Sequence, residues 1–506
     1  MKDSRRDFLK KTGGCALGMI GLATQMQHLG AMSAMAQRTI DDQPEGGQNY
    51  KALVLLYMQG GTDGNNMIIP MHNDGTISNY AAYSAARSTQ GLALTQAELA
   101  NTQINVPRQG NLPYALHPNF GAITQNGTTI VNNGIHELWA QGKLGAVTNV
   151  GNLVQPLTKA QYLASSTVRP YQLFSHSDQV TQSQTSNAKT QAFTGWGGRV
   201  SDRLTLGSNP NGLIPMVTSI AGAQLFTAGQ TTLPLAIADS NTSLANVLNP
   251  AGFTSTANFG PQRLTAFNAL RSVDLDSNYY KSASYVTDKA MAANAALAGG
   301  LETTNTPVPN SGLARQLRQV ARLIKTRDPL NINRQIFYVQ VGSFDTHTNQ
   351  LANQGNLITQ VSQALRWFWD ELVAQGIQND VTTFTLSDFC RTLNPAGTGA
   401  AVVGSDHAWG NHMFVMGGSV VGGNFYGSLR PDGSGNYFPT LAFGGNDDVD
   451  TGTAARGRWL PTTSVDQYAA TLARWFGLAQ DTATLNAVFP NLANFPGSFS
   501  QLGFLP

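Results

Sequence analysis

The sequence predicts an α/β fold with a doubly wound, mostly parallel sheet and helices on both faces. Three observations predict it. Short, continuous apolar runs alternate with amphipathic helical stretches in the second half of the chain. Those runs show no polar/apolar alternation, as expected of strands buried on both faces. Several end in a Gly-containing loop that carries an acidic residue.

The first strand is Ala52–Tyr57, closed by the loop Gly60-Gly61-Thr62-Asp63-Gly64. Residues 89–113, rich in Gln, Asn and Thr, read as a surface insertion. Leu144–Val150 is a second strand. The stretch 205–312 is rich in Gly, Asn and Thr and reads as an inserted or capping region within a single domain over 37–506. Beyond it the pattern sharpens. Leu313, Leu317, Val320, Leu323 and Ile324 fall on one helical face. Ile336–Val341 is a strand, followed by Gly342-Ser343-Phe344-Asp345-Thr346-His347. Leu357, Val361, Leu365, Phe368 and Leu372 mark another helix, and Val381–Leu386 another strand, followed by Ser387-Asp388-Phe389. No internal repeat is found.

Composition narrows the function classes. Apolar residues make up 41% of the chain and charged residues only 12%, which leaves room for a large core and excludes coiled coils and charged tails. Residues 1–36 hold five basic residues, Lys2, Arg5, Arg6, Lys10 and Lys11, against Asp3 and Asp7, a net +3; the whole chain is +2, so the rest is −1. That balance does not suit a nucleic-acid binder. Ser4-Arg5-Arg6-Asp7-Phe8-Leu9-Lys10, then a weakly apolar run from Gly13 to about Ala23 and Ala34-Met35-Ala36, resembles a twin-arginine export signal cleaved before Gln37. The run is too short and Gly-rich to span a membrane. The expected partners are the twin-arginine translocation machinery and signal peptidase, and the expected location is periplasmic or extracellular. The mature chain keeps one cysteine, Cys390, so no internal disulfide is possible.

The chemistry-bearing residues gather at strand ends, where open parallel sheets place their sites. Asp63, Asp345 and Asp388 each follow a strand. His347 lies two residues from Asp345, and His407, next to Asp406, and His412 lie beyond Asp388. Carboxylates and imidazoles converging on one sheet edge suit a divalent metal: zinc, or magnesium, manganese or calcium where oxygens dominate. A lone strand-end Asp has a plainer role as a helix cap or turn former. His72, His117 and His136 lack acidic neighbours and read as core or surface residues.

These stretches together resemble the twin-arginine-exported bacterial domain-of-unknown-function family numbered 1501. The resemblance is carried by Leu53–Pro70, Leu116–Pro118, Phe174-Ser175-His176, Gly195–Arg199, Gly342–Gln350, Thr385–Thr392, Asp406–Gly418 and Trp459–Gly477, in order along nearly the whole mature chain.

That family in turn is similar to the alkaline phosphatase and sulfatase superfamily, whose doubly wound α/β fold flanks a nucleophile with two metal sites. The resemblance implies metal-ligand roles for Asp63, Asp345, His347, Asp388 and His407. Where the superfamily has His after the third Asp, this chain has Phe389, so one metal site is altered and His412 is a candidate replacement. Ser175, at a helix N-terminus beside His176, is the candidate nucleophile, with Ser177 second. Arg199 and Arg391 are candidate contacts to an anionic oxygen. The implied function is an exported metal-dependent hydrolase of phosphate or sulfate esters. The alternative is a non-catalytic exported protein that binds a partner or glycan on the same fold.

Overall fold

The computed structural model describes residues 49–506 apart from 75–77, 123, 126–127, 130–133, 210–212, 233, 248–252, 254–258, 274–277, 299–301, 398–401, 430–435 and 496–501. The expected export signal, residues 1–36, lies outside the described residues.

Nine strands form the main sheet among the described residues. In chain order they are β1 (Lys51–Met58), β2 (Leu144–Gly151), β3 (Val217–Ser219), β4 (Leu235–Ala236), β5 (Arg334–Val341), β6 (Val381–Ser387), β7 (Asn411–Gly417), β8 (Phe425–Tyr426) and β9 (Thr463–Ser464). Across the sheet the order is β8-β2-β7-β6-β1-β5-β3-β4, with β9 also on β2. β1 lies at the centre, parallel to both neighbours, with Leu53 opposite Ile336 on one side and Thr382 on the other. β7 is the one antiparallel strand, running against β6 and β2. The mostly parallel α/β fold expected from the sequence is therefore observed.

The alternation along β1 shows why its sequence is apolar throughout. Ala52, Val54, Leu56 and Met58 enter one core, and Leu53, Leu55 and Tyr57 the other. Every one of these residues is at most 2% exposed. Burying each large side chain contributes about 1.5–3 kcal/mol. The first face is covered by α3 (Gly312–Lys325) and α4 (Gln350–Ala374). α3 starts where the Ser311 hydroxyl accepts from the Ala314 N–H at 3.1 Å, and it buries Leu313, Leu317, Val320, Leu323 and Ile324. The opposite face is covered by α2 (Trp196–Ser208) and α5 (Val465–Phe476). α5 opens on a capping box between Ser464 and Gln467.

Two stretches carry more structure than their composition suggests. Within 89–113, Gln103–Val106 and the start of Leu112–Leu116 join Ile68–Pro70 in a three-stranded antiparallel sheet. Within 205–312, β3 and β4 extend the main sheet in parallel beyond β5. Strands this short give too little periodicity to be read from sequence. No helix of the described residues is long and apolar enough to cross a membrane.

Candidate metal centre

The carboxyl ends of β6, β1 and β5 are neighbours, so their loops share one edge of the sheet. β1 leads into Gly60–Asp63, β5 into Gly342–His347 and β6 into Asp388–Arg391. The reversed direction of β7 brings its amino end to the same edge, which delivers His407 there. The β6 and β7 loops are stitched by backbone bonds: Ala408 N–H to Cys390 O at 2.8 Å, and Thr392 N–H to Asp406 O at 3.0 Å. Gly60 and Gly61 let the β1 loop pass closely. A Cβ at Gly60, φ 113°, would lie 2.5 Å from the Asp345 nitrogen, and one at Gly61, φ 79°, 2.6 Å from the Phe389 ring.

His176, the first residue of α1 (His176–Thr185), completes the edge. Ligand-type atoms of His176, Asp345 and His407 all lie within 4.8 Å of one another, and His347 borders them on the side of His407 and Asp345. His176 Nε2 lies 3.1 Å from His407 Nε2, and His347 Nε2 lies 3.2 Å from that same atom. Asp345 Oδ1 lies 3.0 Å from His347 Nε2, 3.4 Å from His176 Nε2 and 3.7 Å from His407 Nε2.

The other imidazole nitrogens face outward to oxygens. His176 Nδ1 is 2.7 Å from Asp388 Oδ2, His407 Nδ1 is 2.8 Å from the Phe174 carbonyl, and His347 Nδ1 is 3.6 Å from Asp406 Oδ1. Phe174 adopts φ 74° to present that carbonyl, a left-handed conformation costly for a bulky residue. Neutral rings that donate from Nδ1 hold lone pairs on Nε2. Two such lone pairs, on His176 and His407, face the Asp345 oxygen, and a cation between the three relieves their repulsion. A tetrahedral metal with bonds of about 2.0–2.1 Å sets ligand pairs about 3.3–3.4 Å apart, and the separations of 3.1, 3.4 and 3.7 Å among these three atoms bracket that value. Two imidazoles with an oxygen behind each ring, and one carboxylate, fit a zinc-like cation, with His347 beside them.

The charges agree. Burial pushes the His407 imidazolium pKa down, which keeps the ring neutral. Burial alone would raise Asp345, but the Arg391 hydrogen bond and charge, helped by His176 and His347, hold it below the usual carboxylate range. The Phe389 ring centroid packs 4.6 Å from those of His176 and His407. Phe389 thus walls two imidazoles. Asp345 and His347 remain nearly half exposed, at 46% and 48% of their side-chain areas, so the cluster is open to solvent.

Other candidates from the sequence lie apart from this cluster. Asp63 is 1% exposed and gripped from both sides of its carboxylate: Arg87 Nη1 reaches Oδ2 at 2.6 Å and Nη2 reaches Oδ1 at 2.9 Å. Gln350 Nε2 donates to Oδ2 at 2.7 Å. A guanidinium thus occupies the place expected of a cation. His412 is fully buried, accepts from the Asn149 N–H at 3.3 Å and stacks on Phe438 at 4.5 Å; burial pushes its pKa down to about 3. Asp388 orients His176 from behind and accepts from the Gly60 N–H at 3.1 Å.

Neither arginine expected to meet an anion is free to do so. Arg391 is fully buried and gives its N–H groups to the carbonyls of Gly60, Gly61, Phe344 and Ser405 and to Asp345 Oδ1 at 2.5 Å. Arg199 bonds the carbonyls of Val488, Thr194 and Thr185. The Ser175 hydroxyl donates to Asp178 Oδ2 at 2.6 Å and lies 3.2 Å from the exposed Ser177 hydroxyl. Sequence reasoning missed Arg87, the Phe174 carbonyl and the role of Asp406. Only Asp406, beside His407, had a local signal.

The chain belongs to the family described as "Protein of unknown function (DUF1501)", whose model matches residues 50–437. A search of the curated proteins gives no match. Among solved structures, Ps i-CgsB in complex with k-i-k-neocarrahexaose is similar at 8% identity, with 86% of this chain and 74% of that chain covered and a TM-score of 0.32. An alkaline phosphatase superfamily protein from Vibrio parahaemolyticus is similar at 10% identity, with 78% and 71% covered and a TM-score of 0.27. The PsFucS1 sulfatase from Pseudoalteromonas sp. is similar at 9% identity, with 79% and 68% covered and a TM-score of 0.27.

Proposed function

We propose that this DUF1501 chain is an exported hydrolase of phosphate or sulfate esters that uses a single divalent metal held by His176, His407 and Asp345, with His347 beside it. The observation that carries the reading is the convergence of His176 Nε2, His407 Nε2 and Asp345 Oδ1, with the Nδ1 of both rings turned to an oxygen. The sequence resemblance to the alkaline phosphatase and sulfatase superfamily supplies the reaction class. The Asp63–Arg87 pair supports one metal rather than two, because one guanidinium takes both oxygens of that buried carboxylate, whereas Asp345 meets Arg391 through Oδ1 alone and is nearly half exposed.

When bound, the metal supplies positive charge that polarises an ester oxygen and eases deprotonation of a water. The residues of the chain do the rest. Asp388 and the Phe174 carbonyl fix the tautomers of His176 and His407, so both rings are ready as ligands. Arg391, unable to reach solvent, holds Asp345 ionised and aimed at the cluster. Phe389 keeps water from the inner faces of two imidazoles. The exposed sides of Asp345 and His347 leave an approach for an anionic ester from outside. The nucleophile in this reading is water, since the Ser175 hydroxyl is committed to Asp178.

The test is turnover of an aryl phosphate and an aryl sulfate by the natively exported protein, with and without zinc or manganese. Metal-dependent turnover abolished by His407→Ala supports the proposal. The loss of a second cation position to Arg87 favours one other reading, a non-catalytic binding protein, for which a metal-loaded, folded chain would turn over neither ester.

A further inference from the structure

Two adjoining cavities of about 440 Å³ and about 370 Å³ share Glu98, Pro118 and Asn119. Both border α4, the helix whose leading loop carries Asp345 and His347. His117 lines the second cavity at 5% exposure. Its Nδ1 accepts the Asn119 N–H at 3.1 Å, and burial pushes its pKa down to about 4. The ring is therefore neutral with its proton on Nε2. That N–H finds no protein partner among the described residues and is not sealed in the interior, so it opens on the cavity and is free to be given to a ligand there.

The rest of the lining is polar but almost uncharged. Glu98 spends Oε2 on the N–H and hydroxyl of Thr95 at 2.7 and 2.6 Å, which leaves Oε1. The Asn119 amide donates to Gly355 O at 2.8 Å, which leaves its oxygen, and the Thr359 hydroxyl donates to the same carbonyl at 3.0 Å and retains a lone pair. Asn101 and Asn356 are exposed at the rims with no protein hydrogen bond among the described residues. One lone carboxylate disfavours an anion. Amides that give and accept, beside an imidazole N–H that gives, suit a ligand whose own groups do both, which describes neutral hydroxyls.

We propose that this cleft binds a neutral saccharide, with His117 Nε2–H as its inner contact and Glu98 Oε1, Asn101 and Asn356 at its rim. The site is independent of the metal centre and stands whether or not the ester-hydrolase reading does.

The probes are maltotriose, cellotriose, xylotriose and mannotriose, followed on the full mature chain by saturation-transfer NMR. At least one is expected to bind the wild type. Asn356→Trp, an exposed substitution that fills the rim, is expected to abolish binding with metal content unchanged. Asn101→Ala and His117→Gln are each expected to weaken it about fivefold, one hydrogen bond's worth. If His117→Gln fails to fold, Asn356→Trp still decides. No binding of any of the four probes overturns the proposal. So does binding undiminished in Asn356→Trp. Binding that survives Asn356→Trp but vanishes in His407→Ala also overturns it, and moves the sugar to the metal centre.

Discussion

His176 Nδ1 lies 2.7 Å from Asp388 Oδ2, while Nε2 of the same ring faces His407 and Asp345. The two nitrogens therefore have different jobs: one is fixed by a buried carboxylate and the other is left as a ligand. Asp388, expected from sequence to touch a metal, instead holds the ring proposed to do so. Asp388→Asn keeps the shape but lets the amide present an N–H toward Nδ1, which opposes the required tautomer. The expected result is a folded protein whose metal affinity falls about 10- to 100-fold, measured by competition with a chelating dye.

The Asp63–Arg87 pair predicts a stability effect without a metal effect. Both partners are buried, at 1% and 0% exposure. Arg87→Met strands the Asp63 charge and should cost about 3–5 kcal/mol, seen as a lowered melting temperature. The double variant Arg87→Met/Asp63→Asn should recover part of that loss. Metal content should match wild type in every variant. A drop in metal on Asp63→Asn alone would return Asp63 to the ligand set.

Ser175→Ala tests the nucleophile. The hydroxyl donates to Asp178 within its own helical turn. Turnover should fall by less than about tenfold, the scale of one lost hydrogen bond. A loss of several orders of magnitude, with metal retained, would mark Ser175 as the attacking group.

Asp466 predicts a pH effect on stability. It lies in the first turn of α5, fully buried, with Oδ1 unpartnered. Burial pushes its carboxyl up to about 7, more than nearby donors and Arg199 pull it down. The folded pKa lies above the unfolded value of about 3.9, so its contribution is whole below pH ~4 and is lost as pH rises through about 7. The melting temperature of Asp466→Asn relative to wild type should rise between those limits and then level off. A pH-independent difference would contradict the assignment.

Much of the sheet was legible because its strands are buried on both faces and so are apolar without interruption. Leu53–Tyr57 and Ile336–Val339 are both of this kind. Asp345 and His347 were legible because parallel strands deliver their loops to one edge, and His407 reaches the same edge through the reversed direction of β7. Other features had no local sequence signal. Arg87 meets Asp63 from 24 residues away, and the Phe174 carbonyl meets His407 from 233 residues away. Arg391 resembled a substrate ligand only because sequence does not reveal that its whole guanidinium is spent on backbone carbonyls and Asp345. Strands as short as Val217–Ser219 carry too few residues for a period to emerge.

The measurement that bears most directly on the central claim is the metal content of the mature protein after native export, purified without chelator, beside His176→Ala and His407→Ala. One equivalent of divalent metal in the wild type, lost in both variants while their far-ultraviolet circular dichroism stays native, is the predicted result. A stable, folded wild-type chain that carries no metal and takes none up from zinc- or manganese-containing buffer would contradict it.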